Sequence, residues 1–217
     1  MPSSAKWDDR FRSGDHVSST PDPFLLTSSD YWPLLPGWKS DSETASATGL
    51  AALDVACGAG RHAVYLAKAG FSVTAVDFSS EALVRVRELA AAEDVSIRRI
   101  EKDLEAEQID LGNETYHLVT VFFYLHRPLF DALRRCLRPG GLVVYKTYSV
   151  DQLRYPGRPR HRVHMFDHNE LLRVFAGFRV LRYEEEWEGR GTAALIARKV
   201  PPDKRTEPET TAPKASC

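Results

Sequence analysis

The sequence contains no run of about 18 apolar residues, the length a helix needs to cross a bilayer. Its opening, MPSSAKWDDRFRSGD, is polar and holds no apolar stretch of the kind a secretory leader uses. Neither export nor a membrane span is expected. Cysteine is scarce: Cys57, Cys136 and Cys217 are far apart, odd in number and form no C-x-x-C pair. That pattern argues against a disulfide framework and a structural zinc site, and a reducing cytoplasm is the expected home. An excess of one charge is missing as well. With 29 Lys and Arg against 30 Asp and Glu, the net charge is −1 and the pI about 6.7. No global field draws such a chain to nucleic acid or to an anionic membrane. Internal repeats are also absent.

What remains is enough apolar residue, 43% of 217, to bury one sizeable core. Residues 1–200 read as a single domain, with a helix near residues 5–13, a flexible polar loop over about 39–48 (KSDSETASAT) and a disordered proline- and threonine-rich tail at 201–217. Within the domain, short β-type runs alternate with helical ones. Gly49–Cys57 and Ser72–Asp77 read as buried strands around a helix at Arg61–Ala69. Ser79–Ala92 reads as a helix with Ser79 as N-cap and Glu81 in its first turn. Strands at Val95–Ile100 and His117–Phe123, a helix at Pro128–Leu137 and an RPGG turn at Arg138–Gly141 follow, and the next strand ends near Lys146. Asp167 and Glu170 have capping-box spacing. Phe178–Trp187 and Thr192–Lys199, joined by EGRG, form a hairpin. The expected fold is α/β: a doubly wound, Rossmann-like sheet of seven mixed strands with a C-terminal antiparallel hairpin.

In such a sheet the ligand lies outside the carboxyl ends of the strands, where the first strand turns into its helix. That turn is Cys57-Gly-Ala-Gly60, inside LDVACGAGR. Gly58 and Gly60 permit close approach of the backbone, and the N–H groups opening the helix at Arg61 carry partial positive charge. Asp77 ends the next strand, where a carboxylate can accept two hydrogen bonds from a ribose diol. Gly58, Gly60 and Ala63 also satisfy G-x-G-x-x-[GA], so on the glycines alone a dinucleotide remains an alternative ligand.

Four motifs taken together, LDVACGAGR, TAVDFS, KDLE and LRPGG, resemble those of the class I S-adenosylmethionine-dependent methyltransferases over about residues 50–199. GAGRHAVYLAKAGFSVTAVD, WDDRF and MFDHNELLRVFAGFRVLRYEEE are similar to the small bacterial tellurite-resistance and thiopurine-type enzymes. The resemblance implies S-adenosylmethionine as cofactor and S-adenosylhomocysteine as product. It implies that Asp54, Ala56, Gly58, Gly60 and Arg61 form the methionine end of the site, and that Asp77 meets the ribose. Phe78 would pack on the adenine, Asp103 and Leu104 would offer its edge contacts, and Trp7 and Phe11 would close over the cofactor. The tellurite enzymes carry a His-Arg pair in the hairpin region, whereas this hairpin has only Arg190, which puts a tellurium or selenium oxyanion in doubt as substrate.

The methyl acceptor is expected at the ends of the fourth and fifth strands, FFYLHRP and YKTYS. There His126 is the candidate base, with Tyr124, Arg127, Lys146 and Tyr148 as orienting groups. The segment 154–164, RYPGRPRHRVH, holds four arginines, two histidines and no acid, and Arg158, Arg160 and His161 are its candidate contacts to an anionic acceptor. The expected acceptor is a small molecule: a thiol, chalcogen oxyanion, phenol or amine. The alternatives are RNA, held by the basic segment, and a binding protein for S-adenosylmethionine or a dinucleotide that performs no chemistry. Cys57 is expected as a small buried side chain, His62 as a solvent-facing or capping residue, and the acids Glu184–Glu186 as solvated.

Overall fold

The structure, a computed structural model, describes residues 4–14, 18–39, 47–157 and 159–201. Most of the loop expected at 39–48, the tail beyond residue 201 and the candidate contact Arg158 lie outside these residues. Five strands, β1 (Ala51–Val55), β2 (Ser72–Asp77), β3 (Ile97–Glu101), β4 (Tyr116–Phe122) and β5 (Leu137–Tyr148), run parallel. The hairpin of β6 (Phe178–Glu186) and β7 (Thr192–Lys199) joins them through β7, antiparallel to β5. The order across the sheet is β3-β2-β1-β4-β5-β7-β6. This is the expected seven-stranded mixed sheet.

Alternation along each strand divides the apolar residues into two layers. Leu53, Val55, Val119, Val121, Val143, Tyr145 and Leu195 face one side, where Leu133 of α5 (Phe130–Cys136) and Leu171 of α6 (Glu170–Val174) meet them. Ala52, Leu118, Val144 and Ile196 face the other, against Ala63 and Leu66 of α3 (Arg61–Lys68). Phe24 and Leu25 of α2 (Pro23–Thr27), with Trp32 from the 3-10 segment that follows, complete that second layer. Both faces are covered, so the central strands are mainly apolar rather than alternating with polar residues, apart from a few buried polar groups such as Asp54 and Thr120.

Local chemistry sets the helix starts. Ser79 caps α4 (Ser80–Ala92), its hydroxyl accepting the Ala82 N–H at 3.1 Å. The same hydroxyl donates to Asp8 at 2.5 Å, and Arg12 reaches Glu81 at 3.0 Å, so α1 (Ser4–Arg12) is latched to the start of α4.

Three local expectations are corrected. RPGG is no free turn: β5 runs through it from Leu137, with a shift of register against β4 between Tyr116 and Leu118. Gly140, at φ 79°, makes the kink, and a Cβ there would lie 2.8 Å from Pro36. The helix expected from Pro128 opens as a 3-10 turn, Arg127–Leu129, before α5. Of the capping box, only one half forms: Glu170 accepts the Asp167 N–H at 2.9 Å, while the Asp167 carboxylate pairs with Arg162 at 2.7 Å.

Candidate active site

The turn after β1 is shaped by close packing. Gly60 has φ 88°, and a Cβ on it would come within 2.8 Å of Val86 in α4, so only glycine lets that helix pack on the turn. The Gly58 N–H donates to Asp77 Oδ2 at 2.9 Å, and the Ser79 N–H to Asp77 Oδ1 at 3.0 Å. Asp77 is thereby fixed at the carboxyl end of β2, buried, with burial raising its carboxyl above the ordinary range. Each of its oxygens still has a lone pair for a ligand donor.

One strand away, Asp54 is 1% exposed. Its Oδ1 accepts the Thr120 hydroxyl at 2.8 Å, whereas the buried Oδ2 has no hydrogen-bond partner among the described residues. Burial pushes its carboxyl up to about 7, against the opposing pull of Thr120 and the Ala63 N–H. Ala56 takes a left-handed φ of 53° at the strand exit. Over the turn, Phe11 packs on Gly58, 3.5 Å from where a Cβ would stand, and stacks with Trp7 at 6.0 Å.

The three residues expected around adenine differ in placement. Phe78 is half-buried, Asp103 is exposed and caps the Glu105 N–H at 2.8 Å, and the Leu104 side chain is buried in the core. Leu104 therefore has its backbone, not its side chain, to offer at the site. Arg61 is half-buried at the head of α3.

The acceptor candidates divide into free and engaged groups. The His126 ring has no hydrogen bond or ion pair among the described residues and is half-buried. The Tyr124 hydroxyl is buried and equally without a partner. Arg127, by contrast, uses its donors within the fold: it grips Glu170 bidentately at 2.7 and 2.8 Å and the carbonyls of Met165 and Val163 at 3.0 and 3.2 Å. Lys146 pairs with Asp22 at 3.1 Å, and the Asp22 N–H donates to His62 Nε2 at 3.2 Å. His62 is thus a buried acceptor, not a solvent-facing residue. Burial and the neighbouring Arg61 hold it down to about 3, so it stays neutral. Cys57 is buried as expected, and its thiol is raised well above the ordinary range by burial.

Tyr148 lies in an aromatic and cationic group that the linear sequence did not show. Arg190 donates to its hydroxyl at 2.7 Å and lies over the rings of Phe123 and Tyr148, at 4.6 and 4.9 Å from their centroids. The two rings are 5.3 Å apart, and Phe123 holds a left-handed φ of 56° as β4 ends. Each contributor comes from a different segment, so no local spacing announces the group. Ser149, next along, also has a buried hydroxyl with no partner among the described residues.

In the basic segment, Arg154 pairs with Asp151 at 3.4 Å and Arg162 with Asp167 at 2.7 Å. Arg160 bonds the Tyr155 carbonyl at 2.8 Å and, like His161, is exposed. Nor is the acidic run of the hairpin uniformly solvated: Glu185 is half-buried and accepts the Asn169 N–H at 2.7 Å.

Residues 52–141 match the family model of the methyltransferase domain. Among curated proteins, the chain is 30% identical over 142 residues to hemagglutinin 1 of Eikenella corrodens, covering 61% of this chain and 45% of that one. It is 34% identical over 113 residues to the malonyl-[acyl-carrier protein] O-methyltransferase of Pectobacterium atrosepticum, covering 49% and 42%. The chain spans less than half the length of the curated relatives it matches. Among solved structures, TehB from Haemophilus influenzae superposes with a TM-score of 0.64 at 17% identity, over 88% of this chain and 67% of that one.

Several solved structures of similar fold are S-adenosylmethionine-dependent methyltransferases, and the donor set here fits that molecule. The orphaned Asp54 Oδ2 offers an acceptor for an ammonium group, and Asp77 offers acceptors for ribose hydroxyls. The glycine turn presents bare backbone between them. Residues 52–141 thus carry a match to the methyltransferase domain family, and the fold is that of the class I S-adenosylmethionine-dependent methyltransferases, similar to TehB.

Proposed function

We propose that this chain transfers a methyl group from S-adenosylmethionine to a small acceptor held at the carboxyl ends of β4 and β5. One observation carries the reading. Of four buried polar side-chain atoms without a partner among the described residues, three, on Asp54, Tyr124 and Ser149, belong to segments ending at the carboxyl edge of the central strands. Orphaned polar groups cost about 1–3 kcal/mol each, and a polar ligand seated along that edge supplies the missing partners.

When bound, S-adenosylmethionine would supply an electrophilic methyl carbon for in-line displacement by the acceptor, with a neutral thioether as the leaving group. The protein's work is alignment and exclusion of water. Phe123, Tyr148 and Arg190 form the orienting surface: Arg190 presents positive charge beside two ring faces, which suits a planar anionic acceptor such as a phenolate or a carboxylate-bearing thiol. For an oxygen or nitrogen nucleophile the free His126 ring takes the proton; a thiolate needs no base. Arg127 and Lys146 act one step back, holding residues 163–165 and Asp22 in place.

An RNA acceptor has less support, because Arg154 and Arg162 of the basic segment are paired with acids and the chain as a whole carries no positive field. The test is transfer of labelled methyl to a panel of phenols, thiols, amines, chalcogen oxyanions and short RNA. Turnover with an anionic aromatic or thiol, at least tenfold reduced in Arg190→Ala, is expected. Binding of S-adenosylhomocysteine with no transfer to any small acceptor would defeat the small-molecule reading.

A further inference from the structure

The Tyr124 hydroxyl is buried yet makes no hydrogen bond to any described residue. It is not a loosely placed side chain. The backbone beneath it is pinned by the Tyr145 hydroxyl, which donates to the Tyr124 carbonyl at 2.9 Å. Tyr145 is itself fully buried and packed against Phe130, Phe166 and Phe175. A phenol packed on the core with its hydroxyl left unsatisfied costs the fold its desolvation, which a ligand contact would recover.

The position of the hydroxyl separates it from the acceptor group. Tyr148, Phe123 and Arg190 contact one another, and Tyr124 makes none of those contacts. The Tyr124 ring packs on the core cluster that holds Val76 of β2 and Leu104 after β3, and burial first, then the charges of Glu105, Asp103 and Asp77 on those segments, raise its phenol above the ordinary range. These are the segments that carry the ribose acid and the expected adenine contacts. Together with burial they hold the phenol protonated, so the group is a donor and its partner must be an acceptor.

We infer that Tyr124 is a cofactor-binding residue, not an acceptor-orienting one, and that its hydroxyl donates to the nucleoside half of the bound cofactor. The inference rests on the S-adenosylmethionine reading above. It gives the nucleoside a donor from the β4 side to complement the carboxylate acceptor of Asp77 on the β2 side. A nucleoside carries both hydroxyl donors and nitrogen or oxygen acceptors, so the pair reads both.

Tyr124→Phe tests it by two readouts of opposite sign. With no ligand present, the variant melts at the same or a higher temperature than the wild type, since it removes an orphaned hydroxyl without opening a cavity. By calorimetry its affinity for S-adenosylhomocysteine falls about five- to twentyfold, and its affinity for 5′-methylthioadenosine, which lacks the amino-acid half, falls by the same factor. A purely structural tyrosine gives the reverse pattern, a lower melting temperature with unchanged affinity. That pattern, or a loss confined to S-adenosylhomocysteine, overturns the inference. Failure of the wild-type chain to bind S-adenosylhomocysteine overturns the methyltransferase reading and takes this inference with it. Wild-type binding that Tyr124→Phe leaves intact overturns the inference alone.

Discussion

Asp54 carries the sharpest conflict between folding and binding. Its carboxyl is raised from the ordinary 3.8 to about 7, mainly by burial, so the native state holds a proton that the unfolded chain has released between those values. Stability from this group is therefore full below about pH 4 and is lost as pH rises through 7; above that the loss is constant. Asp54→Asn should gain stability over wild type as pH rises from 4 to 7, by on the order of a few kcal/mol at the plateau, as read by thermal melts across pH. Ligand binding has the opposite demand. If Oδ2 receives the ammonium of the cofactor, only the ionised form binds well, with Arg61 and Asp77 as the other charges acting on it. Affinity of the wild type for S-adenosylhomocysteine should then be about tenfold weaker at pH 6 than at pH 8. An affinity independent of pH would remove Asp54 from that role. The acid was legible in LDVACGAGR, but its partner was not: Thr120 is a polar interruption in an apolar strand, and only the pairing of β1 with β4 brings it to Asp54.

At the scale of elements, α1 is a strap. It meets the body through Phe11 on the glycine turn, Asp8 on Ser79 and Arg12 on Glu81, and the last pair is exposed and of little worth. Phe11, 4% exposed, is the buried anchor among them. Phe11→Ala should release α1 locally, so that amides of residues 7–12 lose protection from hydrogen exchange while β1, β4 and β5 keep theirs. The same variant should release bound S-adenosylhomocysteine several-fold faster. Equal loss of protection across the sheet would instead make Phe11 part of the global core. Which elements could be read beforehand follows from where their information lies. β2 and β7 were legible to the residue because an apolar run between turn residues is local. The segment of α2 and Trp32 was not, since its prolines and aromatics make sense only against Phe71 and Tyr65. RPGG misled because its punctuation marks a kink within β5, a fact fixed by Pro36 from far away in the chain. Arg127 and Lys146 were found as residues, but their ion-pair partners Glu170 and Asp22 were not, being equally remote.

For the molecule as a whole, the two layers of core are complete while the carboxyl edge of the sheet keeps its unsatisfied groups. Stability should therefore be gained where the ligand sits. A ligand that binds only the native state stabilises it by about 2.7 kcal/mol at a hundred times its dissociation constant. In a chain of this size about 1 kcal/mol moves the midpoint by about 2–4 °C. S-adenosylhomocysteine at that excess should raise the melting temperature by about 5–10 °C. NADH at the same concentration should leave it unchanged, because the dinucleotide reading rests on Gly58, Gly60 and Ala63 alone, whereas Asp54 calls for a cation that NADH does not carry. The Asp77→Ala variant should lose the shift produced by S-adenosylhomocysteine, since the acceptors at the end of β2 go with it. A shift with NADH and none with the thioether would reverse the assignment of the whole site, and the glycine turn would then belong to a dinucleotide.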